Sequence, residues 1–354
     1  MKVLSVVGAR PQFVKLGPIH AALAGDPGVE HVIVHTGQHY DAAMSDVFFD
    51  DLRIPAPDIH LGVGSGSHGV QTGAMLSRLD GVLEAQRPDW VLVYGDTNST
   101  IAAALAAVKL HLPVAHLEAG LRSFNRRMPE EHNRVLTDHA ADLLLAPTEV
   151  AVEHLRREGL EARTRLVGDV MTDVCWQVRD ALAGRPALPL PGLSPGLPYV
   201  VATIHRAENT DDPQRLAAIV AGLAALDVAV VLLAHPRLRA RAAEQGVDLG
   251  QGSLLVCDPL PYPAMVDAVM RSQGVVTDSG GLQKEAFLLG IPCTTLRTET
   301  EWVETLADGW NVLDPDLTRV AAAAVRAAPD SARSQPYGDG HAAQHVLRAL
   351  RVGA

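Results

Sequence analysis

The chain has 354 residues, of which 47% are hydrophobic, and a formal net charge of −11. This length predicts two domains rather than one core, and the acidic balance argues against a nucleic-acid-binding protein, whose footprint is a basic patch. No window approaches the roughly 18 uninterrupted apolar residues of a membrane span, and three widely spaced cysteines suggest neither a disulfide framework nor a cysteine metal site.

Short apolar runs alternate with Ala-, Leu- and Arg-rich helical stretches along nearly the whole chain. The first run, within Met1–Gly8, looks like a strand leading into a turn and not like a signal peptide, so we expect a cytoplasmic protein. Six strands are predicted before a break in this pattern, at Val3–Val7, His31–His35, Trp90–Tyr94, Val114–Leu117, Leu143–Ala146 and Arg165–Val167. Six more are predicted after it, at Tyr199–Ile204, Val228–Ala234, Leu254–Cys257, Val275–Thr277, Cys293–Leu296 and Asn311–Leu313.

The break at Ala183–Pro198 is rich in proline and glycine, which is typical of a linker or a surface loop. Apolar strands separated by helices are typical of parallel sheets covered on both faces. We therefore predict an α/β protein with two Rossmann-like domains that face a central cleft at the carboxyl ends of their strands. The N-terminal domain is expected at 1–170 and the C-terminal domain at 171–340, with a terminal helix at 341–354 that packs back on the first domain.

The stretch Val275–Glu285 carries the strongest signal for a ligand. A β-branched run stops at Ser279, Gly280 and Gly281 follow, and a helical pattern then begins. Glycines let a ligand approach the backbone, and the N–H groups and dipole of a helix start attract an anion such as a diphosphate. An ordinary strand–turn–helix corner is the alternative, but Glu285, one turn into the helix, is placed to reach a ribose hydroxyl. We therefore predict a nucleotide site.

Charged residues follow several predicted strands, where the cleft is expected. Arg10 and Lys15 follow the first strand and are either cations that face the cleft or a solvated surface pair. Asp96 and Glu118 follow two later strands, and Glu130 stands with Glu131 at a helix start, where Glu131 is expected to be a partner of the helix dipole. Three acids brought to one edge from separate elements favour catalysis over chance.

His205 directly follows a strand of the second half, and it is a candidate general acid or base or a ligand of a phosphate oxygen. The other histidines do not predict a metal site. His35 and His39 are separated by a turn, and His132 and His139 lack a third converging ligand. The sequence has no Walker A motif, and we expect no metal or other cofactor.

Taken together, these segments resemble the non-hydrolysing UDP-N-acetylglucosamine 2-epimerases, relatives of the glycosyltransferases with the GT-B fold. The resemblance covers essentially the whole chain, in the blocks Gly8–Lys15, Thr36–His39, Gly95–Thr100, His116–Arg122, Pro129–Arg134, His205–Asn209, Thr277–Glu285 and Arg297–Glu304. It implies a GT-B arrangement and inversion at C2 of a UDP-sugar through elimination of UDP to a 2-acetamidoglucal, followed by re-addition. A homodimer that acts on a UDP-sugar is expected from the same resemblance.

The resemblance also implies roles for individual residues. By motif, Asp96, Glu118 and Glu130 match the catalytic acids, and His205 matches the cleft histidine. The expected contacts with the UDP-sugar are Arg10, Lys15, Arg134, Met265, Ser279, Gly280, Gly281 and Glu285, with Met265 at the position of the aromatic side chain that commonly packs beside uracil.

Several positions depart from the family pattern. Gln12 stands where the GTRPE motif has its glutamate, Ala207 replaces a usual second arginine, and Trp302 replaces an arginine of the TERPE motif. These features look more like the subgroup that acts on UDP-2,3-diacetamido-2,3-dideoxyglucuronic acid. The carboxylate of such a sugar would require an extra cation, for which Lys284 and Arg206 are candidates.

Three other functions remain open at this point. A GT-B glycosyltransferase would share the fold and the nucleotide half, but it would need an acceptor groove. A hydrolysing epimerase would share the acids and release UDP with a free sugar. A nucleotide-sugar sensor would keep the nucleotide contacts without a need for Asp96, Glu118 and Glu130 together.

Overall fold

The structure is a computed structural model that describes residues 1–38, 56–330 and 333–353. These residues form two compact units, Met1–Val174 with Gln335–Ala354, and Cys175–Ser334. Each unit contains one parallel sheet with helices around it, which confirms the predicted α/β class. Among the described helices, none combines the length and the apolar character needed to cross a bilayer.

The first unit is built on a seven-stranded sheet. Its strands are β1 (Lys2–Val7), β2 (Glu30–His35), β3 (Ile59–His60), β4 (Trp90–Tyr94), β5 (Val114–Leu117), β6 (Leu143–Ala146) and β7 (Thr164–Leu166). They lie in the order β3-β2-β1-β4-β5-β6-β7, and every neighbouring pair is parallel. The sequence predicted six strands here, and that number is wrong because β3 is only two residues long and leaves no pattern.

The helices of the first unit follow its strands. They are α1 (Arg10–Ala24), α2 (His68–Gln86), α3 (Asn98–Lys109), α4 (Pro129–Ala140), α5 (Glu149–Arg157) and α6 (Val170–Leu182), with a 3₁₀ turn at Glu161–Arg163. Local sequence explains several starts: proline occupies the first turn of α1 and α4, and the Thr97 side chain accepts a hydrogen bond from the Thr100 amide at the start of α3. The boundary between the two units falls within α6.

The second unit repeats this design. Its strands are β8 (Tyr199–Thr203), β9 (Ala229–Leu233), β10 (Leu254–Cys257), β11 (Gly274–Thr277), β12 (Cys293–Thr295) and β13 (Asn311–Leu313), in the order β10-β9-β8-β11-β12-β13. Its further helices are α7 (Ala207–Thr210), α8 (Pro213–Ala224), α9 (Pro236–Gln245), α10 (Tyr262–Met270), α11 (Gly280–Leu289) and α12 (Val320–Ala323), with a 3₁₀ segment at Val303–Gly309. The proline-rich stretch 183–198 lies within this unit as a loop before β8.

The last helix, α13 (Ala342–Gly353), packs in the first unit, where Val346 and Leu350 join its apolar core. The carboxylate of Asp173 on α6 accepts hydrogen bonds from the Ala342 and Ala343 amides at 3.0 and 2.8 Å, so a neighbouring helix satisfies two of the amides at this helix start. The indole of Trp90 donates to the Leu350 carbonyl at 3.0 Å.

In each sheet the strand order reverses at one place. This place lies between β1 and β4 in the first unit and between β8 and β11 in the second. In open parallel sheets, ligands bind beyond the carboxyl ends of the strands at such a switch point. The loops that leave β1, β4, β8 and β11 are therefore where functional side chains are expected.

Candidate active site

An ion pair stands at the switch point of the first unit. The ammonium of Lys15, on α1, donates to a carboxylate oxygen of Glu118, which follows β5, and the two side chains are each 11% exposed. Burial alone would lower the pKa of Lys15, but the negative charges of Glu118, Asp169 and Asp96 raise it above its ordinary value. The ammonium is therefore held charged among carboxylates.

The backbone around this pair is unusual. Glu118 has φ 70° and Gly95 has φ 59°, both in the left-handed region, which a glutamate rarely occupies. A Cβ atom on Gly95 would lie 3.0 Å from the Glu118 carboxylate and 3.7 Å from the Lys15 ammonium, so the glycine backbone lies against the ion pair. Strained residues of this kind concentrate at functional sites.

Asp96 follows Gly95 and points to a second cation. Its carboxylate pairs with the guanidinium of Arg134, which is buried on α4 and also donates to Glu131 at 2.8 Å. Asn133 donates to the Asp96 carbonyl at 2.9 Å. The first turns of α4 thus fix both the backbone and the side chain of Asp96.

Glu131 has a more specific task than the predicted one of a helix-dipole partner. Its carboxylate accepts hydrogen bonds from the Ser123 amide, the Ser123 hydroxyl and the Phe124 amide at 2.8–2.9 Å. Burial works to raise the pKa of Glu131, but these bonds and Arg134 hold it below its ordinary value. Its neighbour Glu130 is partly exposed in the first turn of α4 and remains available to a ligand.

The turn between β1 and α1 is fixed by Gln12, which is 1% exposed. Its amide oxygen accepts from the Gly8 and Ala9 amides at 2.8 and 3.0 Å, and its amide nitrogen donates to the Tyr94 carbonyl at 2.8 Å. A glutamate could not make the last bond as a carboxylate, so this departure from the GTRPE pattern has a structural use here. The side chain of Arg10, which starts α1, lies outside what the structure describes.

In the second unit, Asp278 anchors the loop that leaves β8. Its fully buried carboxylate accepts from the amides of His205 and Arg206 and from the side chain of Asn209, at 2.9–3.1 Å. The Nδ1 atom of the His205 ring also lies 3.1 Å from this carboxylate. The Asp278 carboxylate therefore fixes the ring through Nδ1, and the ring is 38% exposed.

The start of α11 has the form that the sequence predicted. The Ser279 hydroxyl accepts from the Leu282 amide at 3.4 Å as the N-cap, and a Cβ atom on Gly281 would meet only the Ser279 hydroxyl, at 3.9 Å. A Cβ atom on Gly280 would lie 2.3 Å from a carboxylate oxygen of Glu301. Gly281 thus leaves room for an anion, and Gly280 is required by the packing of Glu301.

Two of the remaining predicted contacts lie on the helices of this unit. Glu285 is buried in the second turn of α11 and is 5% exposed. Met265 is partly buried on α10 and packs against the core that β8 and β11 share.

The two cations considered for an acidic sugar behave differently. Lys284 is 2% exposed and its ammonium lies 3.8 Å from the centroid of the Trp302 ring, so it is not placed to pair with a sugar carboxylate. Arg206 is partly exposed near the start of α11, where its Nε donates to the Asp278 carbonyl at 3.0 Å and its Nη2 lies 4.0 Å from Glu301. Of the two, only Arg206 remains a candidate cation for the carboxylate of an acidic sugar.

A family model described as UDP-N-acetylglucosamine 2-epimerase matches residues 21–351. The chain is 49% identical over 319 residues to the UDP-2,3-diacetamido-2,3-dideoxy-D-glucuronate 2-epimerase of Pseudomonas aeruginosa, with 88% of each chain covered. It is 39% identical over 365 residues to the UDP-N-acetylglucosamine 2-epimerase of Methanocaldococcus jannaschii, with 100% of each chain covered.

Solved structures extend the likeness to the fold. The crystal structure of the Methanocaldococcus jannaschii UDP-GlcNAc 2-epimerase in complex with UDP-GlcNAc and UDP superposes with a TM-score of 0.86 at 37% identity, over 99% of this chain and 100% of that one. A lipopolysaccharide outer core galactosyltransferase in the apo form has a TM-score of 0.57 at 13% identity, covering 100% of each chain. The latter likeness shows the fold alone.

Proposed function

The chain belongs to the UDP-N-acetylglucosamine 2-epimerase family, and from that premise we propose that it interconverts UDP-GlcNAc and UDP-ManNAc without hydrolysis. The reaction is the inversion of C2 of the sugar by elimination of UDP to a 2-acetamidoglucal and re-addition. The observation that carries this proposal is the meeting of Lys15, Glu118 and Gly95–Asp96 at the switch point of the first unit.

The chemistry explains why charged groups of both signs are needed. A C2 hydrogen of a sugar is not acidic, so its removal has to be coupled to departure of the diphosphate and to positive charge at C1. Carboxylates near the ring stabilise that charge, and amides and cations near the phosphates stabilise the leaving group. Inversion also needs groups that handle protons on both faces of the ring.

We assign Asp96, Glu118, Glu130 and His205 to this proton handling and to stabilisation of the cation, without dividing them between the two faces. The strain at Glu118 and the Asp278 contact that orients His205 support the assignment.

For the nucleotide, we assign the diphosphate to the start of α11 at Ser279–Gly281 and the ribose to Glu285. Arg10, Lys15, Arg134 and Met265 complete the proposed contacts with the UDP-sugar. Lys15 and Arg134 pair with Glu118 and Asp96, so the cations proposed to contact the substrate also fix the proposed catalytic acids.

UDP-2,3-diacetamido-2,3-dideoxyglucuronic acid is the second candidate substrate. The 49% identity to an epimerase named for that sugar favours it, and Arg206 supplies a partly exposed cation near the proposed diphosphate position. A glycosyltransferase activity is supported only by a likeness in fold, to a galactosyltransferase of 13% sequence identity.

The test is to incubate the protein with each UDP-sugar separately in deuterated water and follow C2 by NMR. We expect deuterium at C2 and appearance of the C2 epimer for the true substrate, with the sugar still bound to UDP. Release of free sugar and UDP would indicate a hydrolysing epimerase, and an unchanged H2 signal with both sugars would contradict the proposal. The faster of the two exchange rates identifies the substrate.

We also propose that the protein acts as a cytoplasmic homodimer in polysaccharide biosynthesis for the cell envelope. Light scattering coupled to size exclusion tests the dimer, for which the expected mass is twice the 37.6 kDa of one chain. A single-chain mass at micromolar concentration would contradict it.

A further inference from the structure

A buried histidine lies behind the proposed catalytic acids of the first unit. His116, on β5, has no exposed surface, and both of its ring nitrogens face oxygen atoms. Its Nδ1 lies 2.7 Å from a carboxylate oxygen of Asp138, and its Nε2 lies 2.7 Å from the carbonyl oxygen of Gly95. Both distances lie at the short end of the range for charge-assisted hydrogen bonds.

The partners determine where the protons are. A carbonyl oxygen only accepts, so Nε2 must carry a proton. Asp138 also accepts from Arg122 at 2.7 Å and from the Gly120 amide at 3.1 Å. Burial would raise the pKa of Asp138, but His116 and Arg122 hold it below its ordinary value. Nδ1 faces the Asp138 carboxylate, so the ring stands between two acceptor oxygens.

This ring connects two turns that carry proposed catalytic acids. Gly95, whose carbonyl it holds, directly precedes Asp96, and Gly120, which Asp138 holds, follows Glu118 by two residues. Gly120 has φ 83°, and a Cβ atom there would lie 2.4 Å from the Ala151 carbonyl, so this turn has little room to adjust.

The far side of the network is fixed to a helix. Arg122 donates from two nitrogens to the two carboxylate oxygens of Glu158, at 2.8 Å each. Glu158 directly follows the last residue of α5, and this bidentate contact fixes the orientation of the Arg122 guanidinium, which in turn holds the Asp138 carboxylate. One chain of bonds therefore runs from Glu158 to the backbone carbonyl next to Asp96.

We infer that His116 is a positioning residue, which fixes the turns of Asp96 and Glu118 in the geometry that epimerisation requires. The inference rests on the proposed function. It adds that loss of the ring lowers turnover by misplacing the acids, since a displacement of about 1 Å costs up to about 10²-fold in rate. Binding of UDP, whose diphosphate and ribose are assigned to the second unit, is expected to stay unchanged.

The positioning role is tested by two variants of different hydrogen-bonding capacity. His116→Leu removes both donors, whereas His116→Gln can keep one donor for the Gly95 carbonyl. We expect kcat to fall about 100-fold for the leucine variant and about 10-fold for the glutamine variant, with the Kd of UDP within about threefold of wild type. His341→Gln, an exposed histidine of the same unit, serves as the control and should be unaffected.

The outcomes separate the two claims. Wild-type turnover in His116→Leu, or losses of kcat that follow only the fraction of folded protein, would overturn the positioning role. If the leucine variant does not fold, the comparison of glutamine variant and control decides the matter. If wild type epimerises neither UDP-sugar, the proposed function fails, and the positioning role, which rests on it, falls with it.

Discussion

Lys15 and Glu118, 103 residues apart in the chain, form a nearly buried ion pair at the carboxyl end of the first sheet. The charges of Glu118 and its acidic neighbours raise the pKa of Lys15 despite the opposing effect of burial. In a buried pair, each charge depends on the other for its solvation, so that removal of one partner leaves an uncompensated charge.

This dependence predicts non-additive stabilities. Lys15→Met should lower the free energy of unfolding by about 3–5 kcal/mol, whereas the double variant with Glu118→Gln should recover most of that loss. Urea unfolding of the wild type, the two single variants and the double variant gives the coupling energy. Equal losses in Lys15→Met and in the double variant would contradict the pairing.

The contribution of Lys15 to the free energy of unfolding depends on pH in a definite direction. Because the folded-state pKa of Lys15 is raised, its stabilising contribution is complete below the ordinary lysine pKa and is lost as the pH rises through the folded value. Titrating wild type and Lys15→Met in parallel should therefore give a constant difference near neutral pH that shrinks only in strongly alkaline solution. A difference that grows with alkaline pH would contradict the sign.

The proposed acids make the sharpest kinetic prediction. Asp96→Asn, Glu118→Gln and Glu130→Gln should each lower turnover at least about 100-fold while the affinity for UDP is nearly retained, because a positioned acid–base group contributes about 10²–10⁴. Glu84→Gln, an exposed acid on α2, is the control and should leave turnover unchanged. Wild-type activity in all three variants would remove the catalytic assignment, and lost UDP binding would recast them as binding residues.

The ribose assignment concerns Glu285 on α11. Glu285→Ala should weaken UDP binding without changing which sugar is preferred, because the proposed partner of this carboxylate is the ribose. Calorimetry with UDP, together with rates on both UDP-sugars, measures the two effects separately. Glu244→Ala, an exposed helical acid of the same unit, is the control. Unchanged UDP affinity with altered sugar preference would show that the nucleotide is placed wrongly.

Asp278 should contribute to the stability of the fold and to the orientation of the His205 ring. In Asp278→Asn the amide can no longer accept all of the bonds from the loop after β8, so we expect a loss of about 1–3 kcal/mol in unfolding free energy. Turnover should fall because the His205 ring loses the carboxylate that orients it. Asp227→Asn, exposed in the same unit, is the matched control. Wild-type turnover in Asp278→Asn would refute the orienting role.

The acid dependence of stability follows from the same residue. Burial alone would raise the pKa of Asp278, but its bonds to His205, Asn209 and the Arg206 amide lower it. A lowered pKa gives stability that is present above the unfolded-state value and is lost as the pH falls through the folded value. As the pH falls below the ordinary aspartate pKa of about 3.9, the stability of the wild type should therefore fall more steeply than that of Asp278→Asn.

The sequence predicted the sheets well because apolar runs bounded by turns are a local signal. All twelve predicted strands are present, with each end within one residue of the prediction. Among the described strands, β3 was not predicted, because two residues make no pattern. The acids could be found for a related reason: Asp96 and Glu118 directly follow strands, and parallel strands bring their carboxyl ends to one edge.

The buried network could not be found in the same way. His116 contacts Asp138 and Gly95, 22 and 21 residues away, and these partners meet only when β4, β5 and α4 pack together. The exposure of a lysine is likewise not a local property, which is why Lys284 could be taken as a candidate cation although it lies under Trp302. Both cases depend on tertiary packing that periodicity does not encode.

Regulation gives the last prediction. The family resemblance implies an activator site for a second UDP-GlcNAc, built partly from glutamines in the segment that matches Thr36–Met44. Gln38 remains here, and its side-chain oxygen accepts hydrogen bonds from the amide and the hydroxyl of Ser99 at 3.0 and 2.7 Å. The second glutamine is replaced by Asp41, which lies outside the described residues.

The segment 61–68, which often supplies an arginine, offers only His68 as a potential cation. An acid near a diphosphate repels it, and a missing arginine removes a bidentate contact. We therefore expect hyperbolic kinetics, and epimerisation of UDP-ManNAc that proceeds without added UDP-GlcNAc. Initial rates over a wide range of each substrate measure this. Sigmoidal curves, or a reverse reaction that starts only when UDP-GlcNAc is added, would show that the activator site is retained.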